Sequence, residues 1–293
     1  MVTETATTTA VAAITTDTGA EVKSIILTDN RSSDPARFPT EHGLSILLDT
    51  GSLLVLLDTG ASDLFIRNAR TLGMNLADVD YVFLSHGHKD HTGGLRAFLN
   101  INEKAKVIVS PEAVNKVFYS TRGIPHSLTT AWPLDAMEGR TILVDRNMEL
   151  HDGIRIIADI PNTYSIPQGN KDLMVVESQG EFKPDPFRHE MAFYADGVLF
   201  TGCAHNGLEN ILAACPWPVK TVIGGFHLLD FKNDNLYLEA MGRRLLDHYP
   251  DTEFYTGHCT GDAAFRTLKG VMGDHLKFFS AGMQILLSSF FVS

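Results

Sequence analysis

Short apolar runs alternate with amphipathic stretches along this chain, and each change of pattern predicts a new element. Four to eight mostly apolar residues bounded by turn residues are typical of buried strands. In the first half such runs occupy Val22–Thr28, Leu44–Asp49, Leu53–Asp58, Tyr81–Ser85 and Val107–Ser110. A period near that of a helix predicts helices over Ala61–Leu72 and from Asp90 onward. Residues 111–140 lack a clean period, which predicts a helix and then a long surface segment.

The second half continues the same mixture. Strand-like runs occur at Ile154–Asp159, Leu173–Glu177, Met191–Tyr194, Val198–Thr201, Thr221–Ile223 and Glu253–Thr256, with a closing strand in the last ten residues. Amphipathic segments predict helices over Gly207–Cys215, Leu236–His248 and Asp262–Met272. Because no linker or repeat interrupts this order, we predict one α/β domain over residues 21–293, with sheets inside and helices outside. Residues 1–20, rich in Thr, Ala and Val, predict a flexible tail.

Composition narrows the classes of function. The chain has 293 residues, 44% of them apolar, which is enough for a full core. Its net charge of −11 argues against a nucleic-acid partner, which requires a basic face. The absence of an apolar run of about 18 residues argues against a membrane span. Three cysteines make no disulfide framework and favour a reducing, cytoplasmic compartment. The oligomeric state stays open.

The segment LSHGHKDHTGG of residues 84–94 concentrates four potential metal ligands behind an apolar run. Neutral imidazole and carboxylate oxygen are common zinc ligands. His86 and His88 are two residues apart, so in an extended segment both rings point to the same side and can reach one ion. Asp90 and His91 follow on the opening turn of a helix. From there they can face a second ion about 3.5–4 Å away, so the spacing predicts a centre for one or two divalent metals.

This segment resembles the signature of the metallo-β-lactamase superfamily. The LLDTG of residues 56–60 and the YTGH of residues 255–258 resemble two further motifs of that superfamily. The resemblance covers nearly all of residues 22–288 and implies an αββα sandwich with metals at one edge between two mixed sheets. It also implies that His258 is the last histidine of the site and that Asp58 lies beneath the metals. Asp90 would then bind the second ion, orient a water molecule and accept its proton, while Asp58 would hold a ligand in place.

Four further motifs narrow the resemblance to one branch of the superfamily. They are EHGLS at residues 41–45, GCAHNG at 202–207, GGFHL at 224–228 and GHCTG at 257–261. Together they are similar to the dihydropterin ribofuranosylaminobenzene-phosphate synthase-like proteins, which are named for a pterin-condensing transferase. The match makes His42 a candidate for substrate binding. His227 is a candidate for ligand or substrate contact, and a structural role is equally open.

The chain departs from the superfamily pattern at two positions. A typical member has one more histidine in its middle section, but the histidines between His91 and His205 do not end a strand in the expected segment. At the position of the bridging aspartate, this chain reads Gly202-Cys203-Ala204-His205 instead of Gly-Asp. We therefore predict that His205 supplies the missing ligand. Cys203 is either a thiolate ligand or a buried structural cysteine.

The predicted metal ligands are thus His86, His88, Asp90, His91, His205 and His258, with Asp90 and Asp58 as the catalytic carboxylates. Zinc is the favoured ion, and iron and manganese stay open.

We predict a hydrolase that uses metal-activated water on a phosphoester, lactone or related bond of a small-molecule substrate. A transferase that releases pyrophosphate, an iron-binding redox protein and a non-catalytic ligand-binding protein are the alternatives. Di-iron members of the superfamily carry glutamate where this chain has His88, which disfavours the redox protein. Residues 111–140, with Tyr119, Arg122, His126 and Trp132, are expected to overhang the site.

Overall fold

The computed structural model describes residues 22–151, 153–176, 180–229, 231 and 235–287. The predicted tail of residues 1–20, the end of the strand predicted at Leu173–Glu177 and the last six residues lie outside the described ranges. The strands are β1 (Val22–Thr28), β2 (Ser45–Asp49), β3 (Leu54–Leu57), β4 (Tyr81–Phe83), β5 (Lys106–Val109), β6 (Val117–Ser120), β7 (His126–Ser127), β8 (Thr141–Leu143), β9 (Met148–His151), β10 (Ile154–Ile157), β11 (Leu173–Val176), β12 (Phe182–Pro184), β13 (Ala192–Ala195), β14 (Val198–Phe200), β15 (Thr221–Gly224), β16 (Glu253–Thr256), β17 (Leu276–Phe278) and β18 (Gln284–Leu287).

The α-helices are α1 (Leu64–Thr71), α2 (Lys89–Thr92), α3 (Leu95–Leu99), α4 (Pro111–Asn115), α5 (Leu134–Met137), α6 (Leu208–Ala214), α7 (Asn235–His248) and α8 (Asp262–Met272). Short 3₁₀ turns occupy Leu76–Asp78, Gln168–Asp172 and Gly273–His275. The helix predicted from Asp90 onward is two short helices, because Gly93 and Gly94 pack directly against the backbone of the segment around Thr59 and Ala61. A side chain at either glycine would collide with that backbone.

Two seven-stranded mixed sheets form the centre of the molecule. The first runs in the order β18-β1-β2-β3-β4-β5-β8 and is parallel from β3 to β8. The second runs in the order β17-β16-β15-β14-β13-β10-β9 and is parallel from β14 to β17. Hairpins join β2 to β3, β9 to β10 and β13 to β14, whereas β1 pairs with β18 and β10 pairs with β13 from distant parts of the chain. Crossovers with intervening helices account for the parallel parts.

Three apolar layers hold the αββα sandwich together. The middle layer joins the facing sides of both sheets, with Ile46 and Phe83 from the first and Phe193 and Phe200 from the second. One outer layer packs α1 and α3 on the first sheet, and the other packs α6, α7 and α8 on the second. Leucine, isoleucine and phenylalanine side chains that are almost fully buried fill all three layers. The predicted fold class is therefore confirmed.

A small third sheet covers one edge of the sandwich and corrects the prediction for residues 111–140. Its strand order is β12-β11-β6-β7, so two of its strands come from the segment that was predicted as irregular surface. Strand β6 has only four residues, and its register is fixed by pairing with the distant β11, as in Tyr119 opposite Met174. A strand this short gives little periodic signal, and the tertiary pairing decides its conformation. Among the described helices, none has the length and apolarity that a membrane crossing requires.

Candidate metal centre

The carboxyl ends of the parallel strands in both sheets point to the same edge of the sandwich. Ligands commonly bind at such ends in α/β proteins. The loops that leave these strands carry nearly every residue that the sequence singled out. Asp58 follows β3, His86 to His91 follow β4, Cys203 and His205 follow β14, His227 follows β15, and His258 follows β16.

Three histidines form the first donor set. One ring nitrogen each of His86, His88 and His205 lies within 4.8 Å of the others. The Nε2 atoms of all three are buried and make no hydrogen bond within the protein. Buried polar atoms are nearly always satisfied, so three unsatisfied imidazole nitrogens at one point indicate a missing partner that accepts lone pairs. A divalent cation fits that description.

Neighbouring side chains fix the tautomers of two of the three histidines, His86 and His205. The Ser85 hydroxyl donates to the Asp58 carboxylate at 2.7 Å, so its oxygen is left to accept from His86 Nδ1 at 2.8 Å. The Asn170 amide donates to the His205 carbonyl at 2.7 Å, which turns its Oδ1 toward His205 Nδ1 at 3.0 Å. The Nδ1 atoms of His86 and His205 therefore carry the proton, and their Nε2 atoms present lone pairs to the centre of the set.

The second donor set lies beside the first and consists of Asp90, His91 and His258. His91 Nε2 lies 3.1 Å from His258 Nε2, and the rings of His86 and His91 are 4.1 Å apart between centroids. Asp90 Oδ2 lies 3.4 Å from His258 Nε2 and 3.8 Å from His91 Nε2. The early loop, the Cys203 turn and the Cys259 turn therefore converge on one buried pocket, as the ligand prediction requires. The role of these residues as ligands stays a prediction.

Polar residues behind the second set orient its rings. The Asp58 carboxylate accepts from His91 Nδ1 at 2.6 Å and from the Ser85 backbone N–H at 2.7 Å. The Asn30 amide donates to His42 Nδ1 at 3.0 Å, so its Oδ1 faces His258 Nδ1 at 2.9 Å. Asp58 thus lies beneath the site, where the resemblance places it, and supports both donor sets through Ser85 and His91.

The two sets differ in charge. Burial lowers the pKa of His88 to about 3, and burial also holds the pKa values of His86 and His205 well below the usual range. Burial lowers the pKa of His258 too, but the Asp90 carboxylate outweighs it and raises the value to about 9. For Asp90 itself, burial raises the pKa, and the surrounding imidazoles overcome that effect and keep it well below the usual range. At neutral pH the first set is uncharged, and the second contains an ion pair.

Backbone strain is concentrated around the same pocket. Asp58, Ala204, His227 and His258 have φ angles of 59°, 57°, 47° and 48°. Residues other than glycine adopt positive φ only rarely, at a cost of about 1–3 kcal/mol each, and such residues cluster at functional sites. Each of the four lies in a loop at the carboxyl end of a parallel strand.

A cavity of about 170 Å³ separates the donor sets from the third sheet. His42, Arg122, His126 and His227 line it, together with several of the predicted ligands. His227 is only 7% exposed, and neither of its ring nitrogens has a hydrogen-bond partner. A larger open groove of about 960 Å³ runs past Phe187, and none of the described imidazoles of the donor sets lines it.

The expected overhang of residues 111–140 is only partly present. Arg122 and His126 line the cavity, but Tyr119 lies against Phe182, with ring centroids 5.0 Å apart. Trp132 packs against the outer apolar layer of the first sheet. Both aromatic rings contact other apolar side chains, which explains their position outside the cavity.

Sequence reasoning missed several residues that build the pocket. The buried Glu190 carboxylate accepts from the backbone N–H groups of His205 and Asn206 at 2.6 and 2.7 Å. Burial raises the pKa of Glu190 to about 7. His189 is buried, and its Nδ1 accepts from the Gly87 N–H at 3.0 Å. Asn30 could have been found from its place two residues after β1, whereas Glu190 does not follow a strand end and gives no such signal.

Comparison with known proteins supports the same picture. The profile of the metallo-beta-lactamase superfamily matches residues 39–124. Two proteins of Methanocaldococcus jannaschii are each 26% identical to this chain. One is the uncharacterized protein MJ0448, aligned over 83% of this chain and 92% of its own length. The other is named 7,8-dihydropterin-6-methyl-4-(beta-D-ribofuranosyl)-aminobenzene-5'-phosphate synthase and is aligned over 82% of this chain and 88% of its own length.

Solved structures resemble this fold over almost its whole length. Tm1679, described as a metal-dependent hydrolase of the beta-lactamase superfamily, is 29% identical with a TM-score of 0.76. The alignment covers 92% of this chain and 100% of Tm1679. A diphosphatase from the PhnP family shares the fold at 11% identity and a TM-score of 0.51, over 92% of this chain and 98% of that one.

Proposed function

We propose that this chain is a metal-dependent hydrolase of the metallo-β-lactamase superfamily and that it cleaves a phosphoester, lactone or related bond of a small molecule. The observation that carries the proposal is the convergence of three buried, unpartnered Nε2 atoms, those of His86, His88 and His205. Leaving three such atoms unsatisfied costs about 1–3 kcal/mol each, a cost that a bound cation removes.

We assign the first ion to His86, His88 and His205, and the second to Asp90, His91 and His258. Zinc is favoured because imidazole and carboxylate suit it, and iron and manganese are the alternatives. When bound, such ions lower the pKa of water toward about 7 and polarise a carbonyl or phosphoryl oxygen.

The chain's own residues would position the reactants and move protons. The pKa of Asp90 is held well below its usual range, so Asp90 stays ionised and suits an orienting acceptor better than a store for a proton. His42 Nε2 lies 3.3 Å from Asp90 Oδ2, and the His42 side chain is 66% exposed, so it can pass a proton to solvent. His227 has two unpartnered ring nitrogens facing the cavity, where a substrate oxygen can bond to either.

The second candidate is a transferase that condenses a pterin pyrophosphate with an aromatic partner. The full-length similarity to a protein with that type of name favours it. The similarity to a protein described as a hydrolase, at higher identity and over a larger share of this chain, favours hydrolysis. Non-catalytic binding was an alternative because a histidine was missing from the expected position. The location of His205 beside His86 and His88 supports a complete set of three ligands and favours a catalytic centre over this alternative.

Metal analysis of the purified protein followed by an activity screen tests the proposal. The expected result is one or two divalent ions per chain, hydrolysis of a phosphodiester or lactone, and loss of that activity after chelation with recovery on adding zinc. Release of pyrophosphate from a pterin substrate, without hydrolysis of the other compounds, would favour the transferase. Protein that is purified without metal and takes up none would refute both.

A further inference from the structure

Two of the three cysteines lie in the metal pocket instead of the apolar core. Cys203 and Cys259 are each 3% exposed and line the cavity, and both are free thiols. Neither belongs to the three apolar layers, whereas Cys215 packs against the layer under α6. A buried cysteine usually behaves as a small apolar side chain, so two thiols among imidazoles call for another explanation.

The polar surroundings of the two sulfur atoms suit metal ligands. Cys203 Sγ lies 3.1 Å from His91 Nε2, and Cys259 Sγ accepts from the backbone N–H of His227 at 3.3 Å. An N–H group aimed at a sulfur atom stabilises the thiolate, the form that binds metals. A side chain at Gly225 would collide with Cys259 Sγ, so this glycine makes room for the thiol.

The two sulfur atoms and one imidazole converge as closely as the nitrogen donors do. Cys203 Sγ, Cys259 Sγ and a ring nitrogen of His258 all lie within 4.8 Å of one another. In a tetrahedral zinc site with Zn–S bonds of about 2.3 Å, the ligand atoms lie about 3.5–4 Å apart. The observed spacing therefore requires only a small contraction around an ion.

We propose that Cys203, Cys259 and His258 form a sulfur-rich site that overlaps the second ion position and takes a thiophilic divalent ion, such as Zn²⁺ or Cd²⁺. His258 belongs to two alternative sets, one with Asp90 and His91 and one with the two thiols. Hard ions such as Mn²⁺ prefer oxygen and nitrogen, whereas thiolates favour softer ions, so the choice of set depends on the metal. This inference rests on the proposed metal centre and adds the class of ion that its second position selects.

The decisive experiment loads the metal-free protein with Co²⁺ or Cd²⁺ and records the thiolate-to-metal charge-transfer absorption. We expect the wild type to show this band when two ions are bound. Cys259→Ser and Cys203→Ser should each remove about half of its intensity and lower Cd²⁺ affinity at least about tenfold. Mn²⁺ affinity should change little in Cys259→Ser. Cys215→Ser is the matched control and should leave both the band and the affinities unchanged.

X-ray absorption on the zinc-loaded wild type provides a test that needs no variant. Sulfur neighbours at about 2.3 Å would support the proposal, and nitrogen and oxygen neighbours alone at about 2.0–2.2 Å would overturn it. A full complement of metal without a sulfur signal overturns this inference and leaves the proposed hydrolase standing. Failure to bind metal at all would overturn the proposed function itself.

Discussion

The two donor sets are built from similar residues but differ in what an incoming ion must displace. In the first set, His86, His88 and His205 present three Nε2 atoms that have no partner within the protein. In the second, the side chains of Asp90, His91 and His258 already contact one another, with the two Nε2 atoms 3.1 Å apart. An ion can enter the first set without breaking any interaction, but in the second it must replace an ion pair.

This difference indicates that the two positions should bind metal with unequal strength. The first set is prepared by hydrogen bonds from behind and is uncharged, so its cost of reorganisation is small. In the second set the Asp90 carboxylate can bind the ion, but His258 must lose a proton before it can do so. We therefore expect one firmly held ion and one weaker ion, an asymmetry that substitutions in and around the two sets can test.

The largest effect is expected from His88→Ala. Removing one of the three proposed ligands should abolish metal binding at the first set. The loss of the metal's Lewis acidity, which contributes several kcal/mol, should lower kcat/KM about 10³-fold or more. Metal content by mass spectrometry and turnover of the best substrate are the measurements. His248→Ala, at the end of α7, is the control and should change neither quantity.

The fold should survive the His88→Ala change, because the ring of His88 lies in the ligand pocket and not in an apolar layer. Circular dichroism of the metal-free variant should match that of the metal-free wild type. Turnover at the wild-type rate by a variant that lacks the first ion would contradict the expected difference between the two positions. The ion at the weaker position would then be sufficient for the reaction.

Asp58→Asn should have the next largest effect and should weaken both positions. The substituted amide would retain the shape of the Asp58 side chain, but the site would lose the carboxylate that accepts from His91 Nδ1 and from the Ser85 hydroxyl. Replacing such a supporting acceptor typically costs about 10–100-fold in metal affinity. Competition with a coloured chelator measures both constants. A loss confined to one ion would show that Asp58 does not join the two sets.

Asn170→Ala and Asn30→Ala form a matched pair that separates the sets. Asn170 fixes the His205 ring of the first set, and Asn30 fixes the His258 ring of the second, in both cases through Oδ1 and Nδ1. Each variant should weaken its own ion about tenfold and leave the other nearly unchanged. Equal losses at both positions in either variant would mean that the two sets bind as one unit.

The sequence could predict which loops converge on this pocket, because the candidate ligands follow the ends of strands. The apolar run of β4 followed by HGHKDH, and the glycine-flanked turns after β14 and β16, mark the loops that converge. Strand Glu253–Thr256 and helix Asp262–Met272 were predicted with the bounds that the structure has. The strand is a sharply bounded apolar run, and the helix is long enough to show its period. The prediction for His205 came from the departure of residues 202–205 from the usual Gly-Asp motif, and not from a pattern of apolar residues.

The remainder depended on contacts between distant segments. Strands β6 and β7 are short, and the pairing partner of β6, strand β11, is far away along the chain, so no local pattern marks them. Asn170 is a single polar residue in a short 3₁₀ turn, and Glu190 is one in a loop. Only the folded chain shows that both hydrogen-bond to His205. The sequence also could not predict the difference between the two donor sets. That difference depends on which buried ligand atoms have partners within the folded protein.

The smallest effect is a dependence on pH that only the second position should show. Asp90 raises the pKa of His258 to about 9, so at pH 7 a proton occupies the histidine that the second ion must bind. Binding should release about one proton, and affinity should rise about threefold from about pH 7.0 to about pH 7.5 and level off above about pH 9. Burial lowers the pKa of His88 to about 3, so the first ion should release none and show no such slope. Calorimetry in buffers of different ionisation enthalpy counts the protons at each step. Equal proton release on binding of both ions would show that the two donor sets do not differ in charge, and would contradict the expected difference in their affinities.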